Sequence, residues 1–214
     1  MKKYLLFDND GVLVETEQWY FRANYEILKA LNITLEEERY KEIMINGQSA
    51  LLLAEEQGYT KERVENERAK RNELYQHYLR TEDIAIPSVH DVLSILKEKY
   101  RMGIITSARR EDFELIHEGR GIVDHMEFVL CSGEYVRSKP HPDPYLKGLS
   151  LFDGEKQEAL VIEDSERGLR SAVNAGIECA IVDNHFTTDH DFSSATYRIQ
   201  NLEELITLLE GYAH

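Results

Sequence analysis

The chain has little of what marks a secreted, fibrous, membrane-spanning or nucleic-acid-binding protein. Of its 214 residues only two are cysteine, four proline and twelve glycine. Cys131 and Cys179 stand far apart in apolar surroundings and match no metal or redox spacing. They are expected to be small core residues, and a reducing cytoplasm is the expected address. So few glycines and prolines exclude collagen-like and low-complexity architectures. No apolar stretch reaches the roughly 18 residues of a membrane span. The opening run, Tyr4-Leu5-Leu6-Phe7, also stops short of the roughly 7–15 apolar residues of an export signal. Cations are scarce: 25 Lys+Arg stand against 40 Asp+Glu, for a formal net charge of -15. Such a surface repels a phosphate backbone and an anionic bilayer alike, so neither nucleic acid nor membrane is an expected partner. A monomer is the default.

What is present fits a globular protein of one large domain or two smaller ones, with 42% of residues hydrophobic. Four short apolar runs each end on a polar residue: Tyr4-Leu5-Leu6-Phe7 before Asp8, Met102-Gly103-Ile104-Ile105 before Thr106, Ala159-Leu160-Val161-Ile162 before Glu163-Asp164, and Cys179-Ala180-Ile181-Val182 before Asp183. Continuous apolar runs of this length read as strands buried on both faces. Helical patterns lie between the later ones, over Val89–Tyr100 and over Arg167–Ala175 with Gly176 as its C-cap. Strands alternating with helices give an α/β fold with a Rossmann-like parallel sheet. A βαβ unit takes roughly 30 residues, so the long interval between the first run and the second marks an insertion. Residues 15–86, with helical patterns over Trp19–Leu31 and Thr60–Leu79, read as a helical cap domain inserted after strand 1. Residues 1–14 and 87–214 form the α/β core.

Ligands of parallel α/β sheets bind outside the carboxyl ends of the strands, which is where Asp8, Thr106, Glu163 and Asp164 fall. Asp8 and Asp10, two apart on extended backbone, point the same way, and paired carboxylates can divide the labour of nucleophile or metal ligand and general acid. Gly11 then lets the chain turn. An Asp-x-Asp-Gly segment on its own reads equally as an ordinary turn; the other strand ends add a hydroxyl pair, Thr106 and Ser107, a loop lysine, Lys139, and the acidic pair Glu163-Asp164. Oxygen ligands from Asp8, Asp164 and a backbone carbonyl suit Mg²⁺. A cation, a lysine and a hydroxyl are what a transferring phosphoryl group needs.

Together these segments resemble the haloacid dehalogenase-like hydrolases, in the branch with a helical cap after strand 1 that includes β-phosphoglucomutase and small-molecule phosphatases. The resemblance rests on Asp8-Asn9-Asp10-Gly11-Val12, Ile105-Thr106-Ser107, Ser138-Lys139-Pro140 and Ile162-Glu163-Asp164-Ser165 with Gly168 and Ala175-Gly176, in that order along nearly the whole chain. It implies that Asp8 attacks phosphorus to form an aspartyl phosphate, while Asp10 protonates the leaving oxygen and then activates water. It further implies that Thr106, Ser107 and Lys139 bind the phosphoryl oxygens, that Asp8, Asp10 and Asp164 serve the Mg²⁺ site, and that Glu163 holds Lys139 or supports the metal. An acid at Asp10 favours phosphoryl transfer over dehalogenation. Asn9 stands where the family more often has an apolar residue, and is expected to affect packing rather than mechanism.

Specificity is expected to lie in the cap, where the resemblance to the sugar-phosphate mutase lapses. Tyr20 stands in place of a histidine, and the loop Asn46-Gly47-Gln48-Ser49-Ala50 lacks basic residues. The expected reaction is hydrolysis of a small-molecule phosphate ester, with a β-phosphoglucomutase-like phosphotransferase as the alternative and an idle phosphometabolite-binding protein behind it. Tyr20, Asn46, Gln48 and Arg109 are the expected specificity residues, although Arg109-Arg110 also reads as a solvated helix start. His185, Asp189, His190 and Asp191 lie in a polar segment without regular period and are expected to form a solvated loop rather than a zinc site.

Overall fold

The computed structural model describes residues 1–211. Along the chain β1 (Tyr4–Phe7) is followed by four helices, α1 (Glu17–Ala30), α2 (Glu37–Ile45), α3 (Leu52–Glu56) and α4 (Lys61–Thr81). An alternation follows: α5 (Val89–Leu96), β2 (Arg101–Ile105), α6 (Arg110–His117), β3 (Phe128–Leu130), α7 (Asp143–Leu151), β4 (Ala159–Glu163), α8 (Glu166–Ala175), β5 (Glu178–Val182), β6 (Tyr197–Ile199) and α9 (Glu204–Glu210). Two compact units result, one made of Met1–Glu15 with the residues from Ala85 onward, the other of Thr16–Ile84.

The first unit is built on a six-stranded, all-parallel sheet in the order β3-β2-β1-β4-β5-β6. Every residue of β1 and β4 is buried, which is why β1 and the first four residues of β4 read as unbroken apolar runs. Each of the four expected strands falls within an observed one. The two edge strands, β3 and β6, were not foreseen: each is three residues long and only partly buried; β6 has Arg198 at its centre, whereas β3 is apolar throughout and could have been read as a fifth run. The core on one face joins Leu6, Ile105, Tyr145, Val161, Leu169 and Ile181, and both cysteines are buried and free. The expected helix at 167–175 is α8, started by the Ser165 hydroxyl, which accepts from the Gly168 N–H, and ended by Gly176 in the left-handed region. Strand order reverses between β1 and β4, and such a switch point is where α/β sheets open a crevice at their carboxyl edge.

The second unit is helical. Its core gathers Leu28, Leu35, Tyr40, Leu51, Ala54 and Val64, and Thr60 caps α4 by accepting from the Arg63 N–H. Trp19 packs on Tyr78 and Tyr20 edge-on against Tyr75.

Candidate active site

The site is built on the carboxyl ends of β1 and β4. The Asp8 N–H donates to the Ile162 carbonyl at 2.8 Å, extending the β1–β4 pairing past the strand and setting Asp8 beside the end of β4. The chain then reverses at Gly11, whose φ of +78° favours glycine. A Cβ there would also lie 2.0 Å from Asp164 Oδ2. The glycine thus serves two ends: it turns the chain and lets the turn approach Asp164.

Lys139 binds the strand ends together. Its loop is gripped by α8, where Ser171 Oγ donates to the His141 carbonyl at 2.6 Å and Asn174 Nδ2 to that of Pro140 at 2.9 Å. The buried ammonium donates to Asp8 Oδ1 (2.6 Å), Glu163 Oε1 (2.7 Å) and the Ile105 carbonyl (3.0 Å), which uses its three protons. Burial works against this charge, but Asp8 and Glu163 outweigh it and hold the lysine above its ordinary pKa. Glu163, fully buried, also takes the Tyr145 hydroxyl at 2.6 Å on Oε1 and, on Oε2, the N–H groups of Asp164 and Ser165 and the Ser165 hydroxyl. Burial opposes its charge, yet Lys139 and these hydrogen bonds keep it below the usual carboxylate range. Asp8 lacks such support. Burial, followed by the neighbouring Glu163 charge, pushes its carboxyl up to about 7 against the pull of Lys139.

Gly168 makes the Glu163 arrangement possible, because a Cβ at that position would fall 1.8 Å from Glu163 Oε1. Gly168→Ala should therefore expel the carboxylate from its donors and destabilise the protein by about 1–3 kcal/mol, the usual range for overpacking. Urea unfolding measures this; an unchanged midpoint would show that Glu163 has another place to go.

The second carboxylate, Asp10, takes hydrogen bonds on Oδ2 from Thr106 Oγ1 and Asn9 Nδ2, each at 3.3 Å. Thr106 is fully buried, and its hydroxyl also accepts from the Ala108 N–H; Ser107 Oγ is buried with no hydrogen-bond partner among the described residues. Asn9, expected to matter for packing, is instead a fully buried hydrogen-bonding group. Its Oδ1 lies 2.7 Å from Nε2 of His117, at the end of α6. Burial, with Arg120 adding to it, lowers the His117 pKa to about 4. An unfolded histidine protonates below about 6.5, so the stabilisation from keeping this ring neutral is present above that pH and is lost as pH falls from 6.5 towards 4. Between pH 7 and pH 4 the loss is about 3 kcal/mol at 1.36 kcal/mol per unit. His117→Phe should flatten the stability profile over this window, as read by urea unfolding at both ends; an undiminished slope would mean that the ring is charged in the fold.

Among the described residues one carboxylate group is close enough to share an ion: oxygens of Asp8, Glu163 and Asp164 lie within 4.8 Å of one another. Because five donors fill both Glu163 oxygens, Asp8 and Asp164 are the residues suited to hold a cation. Three buried carboxylates, Asp8, Glu163 and Asp164, beside one buried ammonium leave an excess of negative charge, which a hard divalent ion with oxygen ligands would offset. No such cluster forms at His185–Asp191, where His190 Nδ1 instead accepts from the Glu166 N–H. Arg109 is engaged by its own helix, with Nε and Nη2 each 2.8 Å from Asp112, which favours the helix-start reading. Tyr20, Asn46 and Gln48 belong to the helical unit. There the Tyr20 hydroxyl accepts from Arg71 at 2.6 Å, Asn46 caps α2, and Gln48 is exposed.

Residues 5–182 match the haloacid dehalogenase-like hydrolase family. The chain belongs to that family. It is a hydrolase with the family's Rossmann-like α/β core. A relative from Cereibacter sphaeroides, Protein CbbY, is 28% identical, with 96% of this chain and 94% of that protein covered. A Thermotoga maritima protein named phosphorylated carbohydrates phosphatase is also 28% identical, over 81% of this chain and 82% of its own. Among solved structures, a CbbY mutant from Rhodobacter sphaeroides in complex with xylulose-(1,5)bisphosphate superposes with a TM-score of 0.81 at 23% identity, covering 96% of each chain. The residues that sequence reasoning missed are Tyr145 and His117. Tyr145 left no sequence signal, whereas Asn9 offered one: a polar side chain buried behind a strand end must find a partner.

Proposed function

We propose that the protein is a Mg²⁺-dependent phosphomonoesterase acting on a small soluble phosphate ester. The observation that carries this reading is the chain Asp8–Lys139–Glu163, a buried ammonium shared by two carboxylates with Asp164 alongside. Asp8 is the nucleophile. One carboxylate oxygen attacks phosphorus, the bond from phosphorus to the ester oxygen breaks, and Asp10 delivers its proton to that oxygen, so the alcohol leaves. Asp10, now ionised, takes a proton from water; the water oxygen attacks the aspartyl phosphate, the bond between phosphorus and Asp8 breaks, and phosphate departs. Lys139 and the Thr106–Ser107 segment orient the phosphoryl oxygens, and Glu163 holds Lys139 in place. Asp8 and Asp164 would hold Mg²⁺, which when bound supplies charge stabilisation for the phosphoryl oxygens. The helical unit, inserted in the chain directly after the Asp8–Asp10 segment, serves in this reading as the cap that selects the substrate. The phosphatase-named relative and the bisphosphate-bound CbbY both support a phosphorylated carbohydrate.

A panel of sugar phosphates and other small phosphate esters, assayed for inorganic phosphate with Mg²⁺ and with EDTA, tests the reading. Phosphate is expected from at least one ester and only with the metal. A hexose 1-phosphate converted to its 6-phosphate without free phosphate would instead mean a mutase, and no turnover of any ester would overturn both.

A further inference from the structure

Asn9 and His117 form a buried pair directly behind Asp10. Asn9 is fully buried and His117 nearly so, with its ring packed against Phe113 at 4.3 Å between centroids. Only one assignment of their hydrogens satisfies the contacts. If His117 Nε2 carries the proton, it donates to Asn9 Oδ1 at 2.7 Å, which turns the Asn9 amide N–H toward Asp10 Oδ2 at 3.3 Å. The opposite tautomer would flip the amide and set its carbonyl against the Asp10 carboxylate, acceptor facing acceptor. It would also place a proton on His117 Nδ1, which is buried with no partner among the described residues. The relay therefore runs one way, from imidazole to amide to carboxyl.

We propose that Asn9 and His117 are positioning residues for Asp10: the imidazole fixes the amide, and the amide fixes the carboxyl that gives and takes the proton. The proposal rests on the phosphomonoesterase reading. Two donors, Asn9 Nδ2 and Thr106 Oγ1, converge on the same oxygen, Oδ2. Two donors on one oxygen fix the rotation of the carboxyl about its bond to the chain. Proton transfer needs donor and acceptor within hydrogen-bond reach, and a carboxyl free to rotate would present the wrong oxygen for part of the time. Loss of the relay should therefore cost rate rather than binding, and most where the leaving group depends on receiving a proton.

The test compares wild type, Asn9→Leu, His117→Phe and the double variant, with Mg²⁺, on aryl phosphates graded from p-nitrophenyl phosphate to phenyl phosphate. With phenyl phosphate, whose leaving oxygen needs the proton, the rate of phenol release in the first turnover should fall roughly 10- to 100-fold in each single variant. With p-nitrophenyl phosphate that first-turnover rate should fall by no more than about threefold, whereas steady-state kcat falls on both esters, because Asp10 also activates the water that hydrolyses their shared aspartyl phosphate. The double variant should be no worse than Asn9→Leu, because His117 acts through Asn9. His117→Gln, which keeps a side-chain N–H, should recover part of the loss, and Asn9→Ser is the second variant should the leucine disturb folding. Equal first-turnover losses on every ester, additive losses in the double variant, or a raised KM at unchanged kcat would overturn the proposal and leave the phosphatase reading standing. A wild type that releases phosphate from none of the esters, including the sugar phosphates, would overturn both.

Discussion

Asp8→Asn should lower phosphate release by roughly four orders of magnitude or more, the scale seen when a nucleophile is removed, while leaving the fold intact. The carboxamide still accepts a hydrogen bond from Lys139 but is no nucleophile. Stability should move the other way. The Asp8 carboxyl is pushed up to about 7 by burial and then by Glu163, whereas an aspartate in an unfolded chain titrates near 4. Between those values the folded protein holds a proton that the unfolded chain has released, so this group's contribution declines as pH rises from 4 to 7 and stays low above 7. Asparagine carries no such dependence. The metal-free Asp8→Asn protein should therefore melt above metal-free wild type, by more at pH 8 than at pH 5. Calorimetry at the two pH values reads this directly, and a lower midpoint at pH 8 would mean that the Lys139–Asp8 attraction outweighs the burial of the charge.

Lys139→Met should unfold the site's architecture as well as its chemistry. Glu163 is fully buried, and Lys139 is the only cation whose ion pair with it is seen among the described residues. Removing one partner of a buried pair leaves an uncompensated charge and costs about 3–5 kcal/mol. Tyr145 and the Ser165 hydroxyl still donate to Glu163, which argues for the lower part of that range. Combining Lys139→Met with Glu163→Gln removes both charges, so stability should return while phosphate release does not. Chemical denaturation of the single and double variants measures the effect. A Lys139→Met protein as stable as wild type would show that Glu163 takes up a proton at little cost, and that the lysine is not what keeps it ionised.

The sequence was most legible where the sheet is buried on both faces. β1, β2, β4 and β5 announce themselves because each holds an unbroken apolar run of four residues, and the polar residue that follows the run is the one delivered to the carboxyl edge, Glu163 as the last residue of β4 itself. Asp8, Thr106, Glu163 and Asp164 could be placed for that reason. Edge strand β6, with Arg198 at its centre, left no comparable trace, whereas Phe128-Val129-Leu130 of β3 is apolar throughout and was passed over. Contacts distant in sequence were also out of reach: Asn9 meets His117 across 108 positions, and Tyr145 reaches Glu163 from α7. Asn9 shows why a packing interpretation failed. A buried amide brings four hydrogen-bonding sites with it, and their partners are set by tertiary structure alone.

If Asp8 carries the phosphoryl group, beryllofluoride, which mimics a phosphoryl group on a carboxylate, should bind there in its place. Wild-type protein with Mg²⁺, beryllium and fluoride should show a stoichiometric bound ¹⁹F signal that is absent from Asp8→Asn. A wild type that takes up none, or an Asp8→Asn protein that takes up as much, would contradict the account.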